Sequence, residues 1–118
     1  MSEYRYSIYD MRVSDIPSPE DAERWLRYVC DDLHVVVQSS TKKIFKSPVA
    51  GHAYTIAAVL SESHAVIHTS PEDAWVEVVF AFCRPIDQDA LDAKIKSYWT
   101  PERFRCSTFT CSVPKEAV

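Results

Sequence analysis

The sequence predicts an α+β fold, a two-layer α/β sandwich in which an antiparallel sheet carries helices on one face. Three observations predict it. Strand-like segments outnumber helical ones, each of two helical stretches has a single apolar stripe, and the elements follow a mirrored order. That order is strand-helix-strand-strand and then strand-strand-helix-strand. It describes two similar halves, although residue identities do not repeat.

The first strand and the first helix are predicted from the N-terminal residues. Tyr4–Tyr9 alternates weakly and is rich in aromatic residues, as strands are. Ser18 is a favoured N-cap, and proline and two acidic residues follow it. Apolar residues then recur with helical spacing, at Ala22, Trp25, Leu26, Val29 and Leu33. These signals predict a helix over 19–32.

Three further strands are predicted before residue 70. Each is a short run rich in β-branched or other apolar residues, at 34–38, 53–60 and 65–69. The stretch 42–48 is basic and ends in proline, so we expect a connection there. Residues 70–73, Ser-Pro-Glu-Asp, supply turn chemistry after the last of these strands.

The remaining elements are a strand, a helix and a strand. Trp75–Phe82 alternates cleanly between two faces. Pro85 is expected to open the second helix, whose acidic residues come early and whose lysines come late. Phe104–Val113 predicts the last strand. Because no change of composition divides the chain, we expect a single domain over 1–118.

Composition excludes several function classes. A net charge of −4 with scattered Lys and Arg argues against a nucleic-acid surface. The single glycine, Gly51, excludes glycine-rich phosphate loops. No apolar run approaches the about 18 residues that span a bilayer. The first residues also lack the apolar core of a signal peptide, so we expect a cytoplasmic protein without membrane contact.

The four cysteines show no zinc-type spacing, so we expect no metal site. In a reducing compartment they remain thiols. Cys30, Cys106 and Cys111 are expected to be small core residues, and Cys83 to have another role.

Residues 60–83 bring a carboxylate, hydroxyls, imidazoles and a thiol into one hairpin-sized stretch. If Thr69 pairs with Trp75 across the turn, Ser63 lies opposite Ala81. This pairing would place the reactive groups close together, which suggests a small catalytic domain.

The same pairing puts Ser61 opposite Cys83, so the thiol and the Ser63 hydroxyl share one face. His68 is five residues from Ser63, and a regular strand sends it to the opposite face unless a bulge intervenes. A structural interpretation is also open: a core cysteine, a hydrogen-bonded strand histidine and a polar turn.

A family resemblance rests on this stretch. The segment Glu62-Ser63-His64-Ala65-Val66-Ile67-His68-Thr69-Ser70-Pro71-Glu72, with Cys83 after it, resembles the hallmark of the bacterial and archaeal type of S-adenosylmethionine decarboxylase. That hallmark is Glu-Ser-His-x-x-Ile-His-Thr-Trp-Pro-Glu, followed by a strand that ends in cysteine. The chain length and element order of the family also agree with this chain.

The resemblance implies self-cleavage between Glu62 and Ser63, into residues 1–62 and 63–118. The Ser63 hydroxyl would attack the Glu62 carbonyl, and elimination and hydrolysis would leave a pyruvoyl group at position 63. The pyruvoyl ketone would condense with the substrate amine and accept the electrons released with carbon dioxide.

The resemblance also implies roles for four other residues. By the family pattern His68 assists the elimination, and Thr55 replaces a hydroxyl residue that supports processing. Cys83 would return a proton to the substrate α-carbon. Glu72 would hydrogen-bond the ribose hydroxyls, and its alternative is an exposed turn acid.

The activity implied is pyruvoyl-dependent decarboxylation of S-adenosylmethionine to S-adenosylmethioninamine, for spermidine and polyamine biosynthesis. Family members pair with their sheets facing each other and the active site beside the interface. We therefore expect a homodimer of cleaved protomers.

This chain departs from the family at several positions. The family's Trp is Ser70, its usual aspartate is Val79, and the glycine after the cysteine is Arg84. Val49 lies near the place of an aromatic that stacks on adenine, which Phe45 could replace. Two alternatives therefore stay open: a related pyruvoyl-dependent arginine or ornithine decarboxylase, and a regulatory homologue that does not cleave.

Overall fold

The computed structural model describes residues 3–61 and 63–112. Within them lie six strands, two α-helices and one short 3-10 helix. In chain order the elements are β1 (Glu3–Arg12), α1 (Pro19–Asp32), β2 (Val37–Phe45), β3 (Ala53–Leu60), β4 (Ser63–Ser70), the 3-10 helix (Pro71–Asp73), β5 (Trp75–Phe82), α2 (Gln88–Trp99) and β6 (Arg103–Ser112).

The strands form one antiparallel sheet in the order β2-β3-β4-β5-β1-β6. Both helices pack on the same face, because their buried residues join one core with alternate residues of the strands. Each half of the chain contributes three strands and one helix. The architecture confirms the α+β sandwich expected from the order of the elements.

The core lies between the sheet and the two helices. Trp99 of α2 and Tyr9 and Phe80 of the sheet are among its largest fully buried side chains. Burying a large apolar side chain contributes roughly 1.5–3 kcal/mol. The helices contact each other through Trp25, whose ring stacks on Tyr98 with 5.1 Å between centroids.

The first helix begins and ends where its sequence signals place it. The Ser18 hydroxyl accepts a hydrogen bond from the Asp21 N–H at 3.2 Å, and Pro19 is the first helical residue. The predicted range of 19–32 is therefore confirmed.

The second helix begins at Gln88 rather than at Pro85. The Asp87 carboxylate caps it by accepting a hydrogen bond from the Ala90 N–H at 3.0 Å. The sequence interpretation favoured the proline, whereas the stronger signal was an acidic N-cap two residues later. Neither α1 nor α2, the helices of the described chain, is long and apolar enough to cross a membrane.

The largest error in the predicted elements concerns β2. The prediction was a strand over 34–38 and a connection over 42–48, but β2 runs from Val37 to Phe45 and pairs with β3. The polar, lysine-rich segment resembled a loop. It forms an edge strand instead, and solvated edge strands tolerate polar and charged residues. The bounds of β3 and β5 are as predicted, and β1 and β4 differ only at their ends. Strand β6 begins one residue before the predicted Phe104, and the predicted last residue, Val113, lies outside the described residues.

We call the face of the sheet opposite the helices the open face. Among the described residues, no helix lies against it. Its centre is apolar and consists of Tyr6, Ile8, Ala57, Val59, Val66, Val79 and Phe109. Val59 and Phe109 are 56% and 47% exposed. Exposed apolar surface of this kind is typical of an interaction site.

Candidate active site

The pairing of β4 with β5 differs from the predicted pairing by one residue. Ser70, not Thr69, lies opposite Trp75, so Ser63 pairs with Phe82 rather than with Ala81. The cause is the turn: the 3-10 helix is followed by Ala74 at a left-handed φ of 50°, which closes the hairpin in one residue fewer. The shift reverses which residues share a face.

The corrected pairing changes the relation of Ser63 to the thiol and the imidazole. His68 lies opposite Glu77, on the open face, and Cys83 follows β5 beyond the partner of Ser63. Cys83 therefore follows Phe82, the strand partner of Ser63, and strand alternation no longer puts Ser63 and Cys83 on one face, as the sequence had predicted. No bulge interrupts β4, so His68 stays five residues along the strand from Ser63.

Ser63 has an unusual backbone conformation. Its φ is 144°, in a region that residues with a Cβ rarely adopt. Such conformations cost about 1–3 kcal/mol and cluster at functional sites. Its hydroxyl oxygen lies 3.0 Å from Nδ1 of His64. The strained residue therefore has an imidazole within proton-transfer distance.

The turn before Ser63 is fixed by the segment that precedes β2. The Ser61 N–H donates to the Val36 carbonyl at 2.8 Å, and the Val36 N–H donates to the Ser61 hydroxyl at 3.0 Å. These two hydrogen bonds attach the end of β3 to the segment that precedes β2 in the same chain. Glu62, the other residue of the expected cleavage site, lies outside the described residues.

The segment after β5 is fixed by Arg84. Its guanidinium donates to the backbone carbonyls of Leu33 at 2.7 Å and His34 at 3.1 Å, just after the end of α1. Unpaired carbonyls at a helix end favour a cation. Where the family has glycine, this chain therefore has a side chain that connects the Cys83 segment to α1. We call Ser61, Ser63, His64, Cys83 and Arg84 the serine end of the hairpin.

His68 lies toward the other end of β4. Its Nδ1 is 2.6 Å from the Thr55 hydroxyl, and Thr55 is its partner on β3. The Trp75 and Phe45 rings approach the imidazole edge-on, with centroid separations of 5.8 Å and 6.5 Å. Thr55 and the two rings hold the imidazole in a defined orientation. We call Thr55, His68, Glu72, Phe45 and Trp75 the histidine end.

A cavity of about 170 Å³ opens beside His68. Phe45 and Glu72 line it, and Glu72 is exposed in the 3-10 helix. The adjoining loop packs closely on this helix, because a Cβ at Gly51 would lie 2.9 Å from Cβ of Pro71. Gly51 also has a φ of 130°, so glycine is required there.

Thr69 of β4 holds the loop before β3 from within the core. Its hydroxyl donates to the His52 carbonyl at 2.7 Å and accepts from the Tyr54 N–H at 3.0 Å. The side chain is 2% exposed, so both hydrogen bonds are protected from water. The loop before β3 is therefore attached to the strand that carries His68.

The two ends are well separated within one chain. His68 is five positions along β4 from Ser63, which corresponds to about 17 Å at roughly 3.3 Å per residue. The fold brings Ser63 together with His64, and His68 together with Thr55 and Glu72. It places Cys83 next to Phe82, the strand partner of Ser63. It does not bring Ser63 and His68 together.

Sequence reasoning missed three contributors to these ends. His64 was part of the quoted segment but had no role, and its position next to Ser63 was the available signal. Trp75 was interpreted only as a strand residue. The role of Arg84 depends on the end of α1, which is fifty residues away in sequence, so no local signal could reveal it.

The other cysteines are only partly as expected. Cys30 is fully buried, and burial raises its pKa to about 11, which keeps it a thiol. Burial also raises the pKa of the half-buried Cys106. Cys111 is exposed on edge strand β6, so the expectation of a core residue was wrong there.

Comparisons with known proteins concern the family and the fold of the chain. The family model described as S-adenosylmethionine decarboxylase matches residues 3–111. The fold is similar to the crystal structure of the adenosylmethionine decarboxylase from Aquifex aeolicus VF5, with a TM-score of 0.78 and 24% sequence identity. That match covers 98% of this chain and 95% of the other. No curated protein sequence matches the chain.

Proposed function

Because the chain belongs to the S-adenosylmethionine decarboxylase family and decarboxylates S-adenosylmethionine in polyamine biosynthesis, we propose that its electrophile is made from Ser63. We further propose that the chain is a single domain and that it cleaves itself into residues 1–62 and 63–118. The observation that carries it is the strained Ser63, with its hydroxyl 3.0 Å from the His64 imidazole.

The proposed processing needs no other reagent than water. The Ser63 oxygen attacks the carbonyl carbon of residue 62, and the acyl group moves from nitrogen to oxygen to form an ester. Loss of the Ser63 α-proton then expels the carboxylate of residue 62. The resulting dehydroalanine takes up water and releases ammonia, which leaves a pyruvoyl group on residue 63. Departure from the unfavourable φ of 144° favours the first step.

The residues of the serine end fit the pyruvoyl group and the subsequent decarboxylation. The pyruvoyl group supplies the electron sink that decarboxylation of an α-amino acid requires. Cys83 is adjacent to the strand partner of Ser63, so its thiol can deliver a proton to the substrate carbon that lost carbon dioxide. A thiol that carries its proton can act as that donor.

His68 and Thr55 act in processing, we propose, on Ser63 of a second copy. Within one chain His68 lies about 17 Å along the strand from Ser63. A two-fold axis through the centre of the open face would place the histidine end of one protomer over the serine end of the other. An isologous interface uses the same patch of both copies, so each dimer would have two such sites.

The properties of the open face support this pairing. Its centre is apolar and partly exposed, and it lies between Ser63 and His68 along β4. Val66 and Val79 occupy its middle. An apolar surface left uncovered by helices costs free energy in water, and a second sheet would cover it.

The size of the cavity beside His68 also supports a composite site. Pockets that enclose a small-molecule ligand usually measure about 300–1,000 Å³, and this cavity has about 170 Å³. We propose that Phe45 stacks on the adenine and that Glu72 accepts hydrogen bonds from the ribose hydroxyls. The partner's surface would supply the remaining wall.

Denaturing mass spectrometry of the purified chain is the first test. We expect two fragments in place of the 13.5 kDa chain. Borohydride should reduce the fragment of residues 63–118 at its first residue. Ser63→Ala should remain intact and inactive. A wild-type chain that stays intact after long incubation contradicts the proposal.

Co-expression of Ser63→Ala and His68→Ala chains with different tags tests the composite site. Each variant alone should stay uncleaved. In the mixed dimer, one site has both an intact Ser63 and an intact His68, so the His68→Ala chain should be cleaved. Absence of cleavage in a verified mixed dimer, or cleavage of His68→Ala alone, contradicts the role of the partner's His68.

A further inference from the structure

A second groove, which shares Trp75 with the histidine end, lies at the edge of the open face beside the 3-10 helix. It has a volume of about 500 Å³ and is formed by β6, β1 and the start of β5. Its lining includes Asp10, Arg12, Asp73, Trp75, Arg103 and Arg105. Three arginines in one groove depart from the acidic average of the chain, whose net charge is −4.

The arginines are placed against each other. Arg12 lies directly opposite Arg103 in the β1–β6 pair, and Arg105 is two residues further along β6. Like charges directly opposite one another on neighbouring strands are destabilising. The sheet therefore carries an electrostatic cost here that a bound anion would remove.

The lining has two carboxylates, Asp10 and Asp73, for three arginines, so they neutralise this groove only in part. Arg105 pairs with Asp10 at 3.3 Å. Arg12 is 3.9 Å from Glu102, and both side chains are more than half exposed, so this pair is weak. Among residues 3–61 and 63–112, Arg103 has no side-chain hydrogen bond and no ion pair.

We propose that this groove binds an oxyanion, a carboxylate or phosphate group, between Arg12 and Arg103. The planar guanidinium matches either group with two parallel hydrogen bonds. Trp75 provides an apolar wall for the rest of the ligand. The groove is distinct from the proposed adenosine pocket beside His68. The two are close to each other, because the Trp75 ring of the groove lies 5.8 Å from the His68 imidazole.

NMR titration of the purified protein tests the site. The probe signal is the Trp75 indole N–H, assigned by comparison with Trp75→Phe. Inorganic phosphate and acetate are added separately, with chloride at equal ionic strength as the reference. We expect a saturable shift with phosphate or acetate and none with chloride. The anion that saturates at lower concentration identifies the class of ligand.

Substitution separates a built site from general attraction of anions. Arg103→Gln should weaken the saturable binding about tenfold, which is the loss of one charge-assisted contact. The matched control is Arg24→Gln, an exposed arginine of α1 that pairs with Asp21, and it should change nothing. Absence of saturation with both anions, or equal binding by Arg103→Gln, overturns the proposal.

Discussion

At the scale of single residues, the candidate site combines one residue in a strained backbone conformation with one in regular strand geometry. Ser63 begins β4 with a φ that strands do not use, and its hydroxyl meets His64. His68, in contrast, is held in regular geometry by Thr55. Ser63, which is expected to react, is strained, and His68, which is expected to assist, is held in one orientation. This division is what pre-organised catalysis requires.

Cys83→Ala should separate processing from turnover. The chain should still cleave, because the thiol has no part in forming the ester, but kcat should fall about 100-fold or more through loss of the proton donor. Mass spectrometry measures the cleavage, and carbon dioxide release measures the turnover. Cys111→Ala, on the exposed edge strand, is the control and should behave as wild type. Full turnover by Cys83→Ala would exclude the thiol as donor.

Thr55→Val should slow processing by about tenfold, because it removes the hydrogen bond of 2.6 Å that orients the His68 imidazole. Valine keeps the shape and the strand preference, so the fold should persist. Thr55→Ser restores the hydroxyl and should restore the rate. The measurement is the time course of chain cleavage. An equal rate for valine and serine would show that Thr55 has no positioning role.

At the scale of elements, loops and strand ends decide where the site lies. The hairpin of β4 and β5 carries residues of both ends, and the close approach of Gly51 to Pro71 attaches the loop before β3 to the 3-10 helix. The edge strand β2 is attached to α1 by polar side-chain contacts. Its Lys42 pairs with Glu23 at 3.0 Å, and Ser40 donates to the same carboxylate at 2.8 Å. These contacts hold β2, and with it Phe45, against the helix layer.

Glu23→Gln should destabilise the fold at neutral pH by at most about 1 kcal/mol, since the ion pair is partly exposed. Hydrogen bonds from Lys42 and Ser40 hold the pKa of Glu23 below its ordinary value of 4.5. A lowered pKa in the folded state stabilises the protein above pH 4.5 and loses this effect as pH falls through the folded value.

The difference between wild type and Glu23→Gln should therefore be present at pH 7 and disappear in strong acid. Urea denaturation at several pH values measures it. Glu20→Gln, in the first turn of the same helix, is the control with no contact to β2. A difference that stays constant down to acid pH would show that the pKa of Glu23 is not the cause.

Gly51→Ala should lower stability and displace the loop that borders the cavity. The new methyl group would lie 2.9 Å from Pro71, and the φ of 130° disfavours any residue with a Cβ. We expect a loss of about 1–3 kcal/mol, as for other strained backbone positions. Thermal unfolding and the KM for S-adenosylmethionine are the two measurements. Unchanged values of both would show that the loop adapts without cost.

At the scale of the whole molecule, the sheet has one face covered by helices and one apolar face that no described helix covers. The uncovered face also separates Ser63 from His68, so in the proposed dimer it would be the interface and the partner would complete each site. Assembly and activity would therefore depend on each other.

Val66→Glu should disrupt the dimer and processing together. A charge in the middle of the open face cannot be buried against a second sheet without a large desolvation cost. Sedimentation measures the mass, and denaturing mass spectrometry measures the cleavage. Tyr28→Glu is the control, because Tyr28 is 60% exposed on the helix layer. A Val66→Glu protein that is monomeric and still cleaves would separate assembly from processing.

The sequence by itself determined the fold class, the helix α1, and strands β3 and β5, because these elements carry strong periodic patterns and a clear N-cap. It also identified the candidate reactive residues, since the segment around Ser63 is recognisable without coordinates, and their roles stay predictions.

Only the tertiary structure decided how those residues meet. The pairing of β4 with β5 depends on the left-handed Ala74, and one residue of register reverses the faces of a strand. Edge strand β2 has no apolar pattern of its own, and it forms because β3 offers unpaired backbone groups. The separation of Ser63 from His68 follows from this register. It is a property of the folded sheet that no local pattern in the sequence contains.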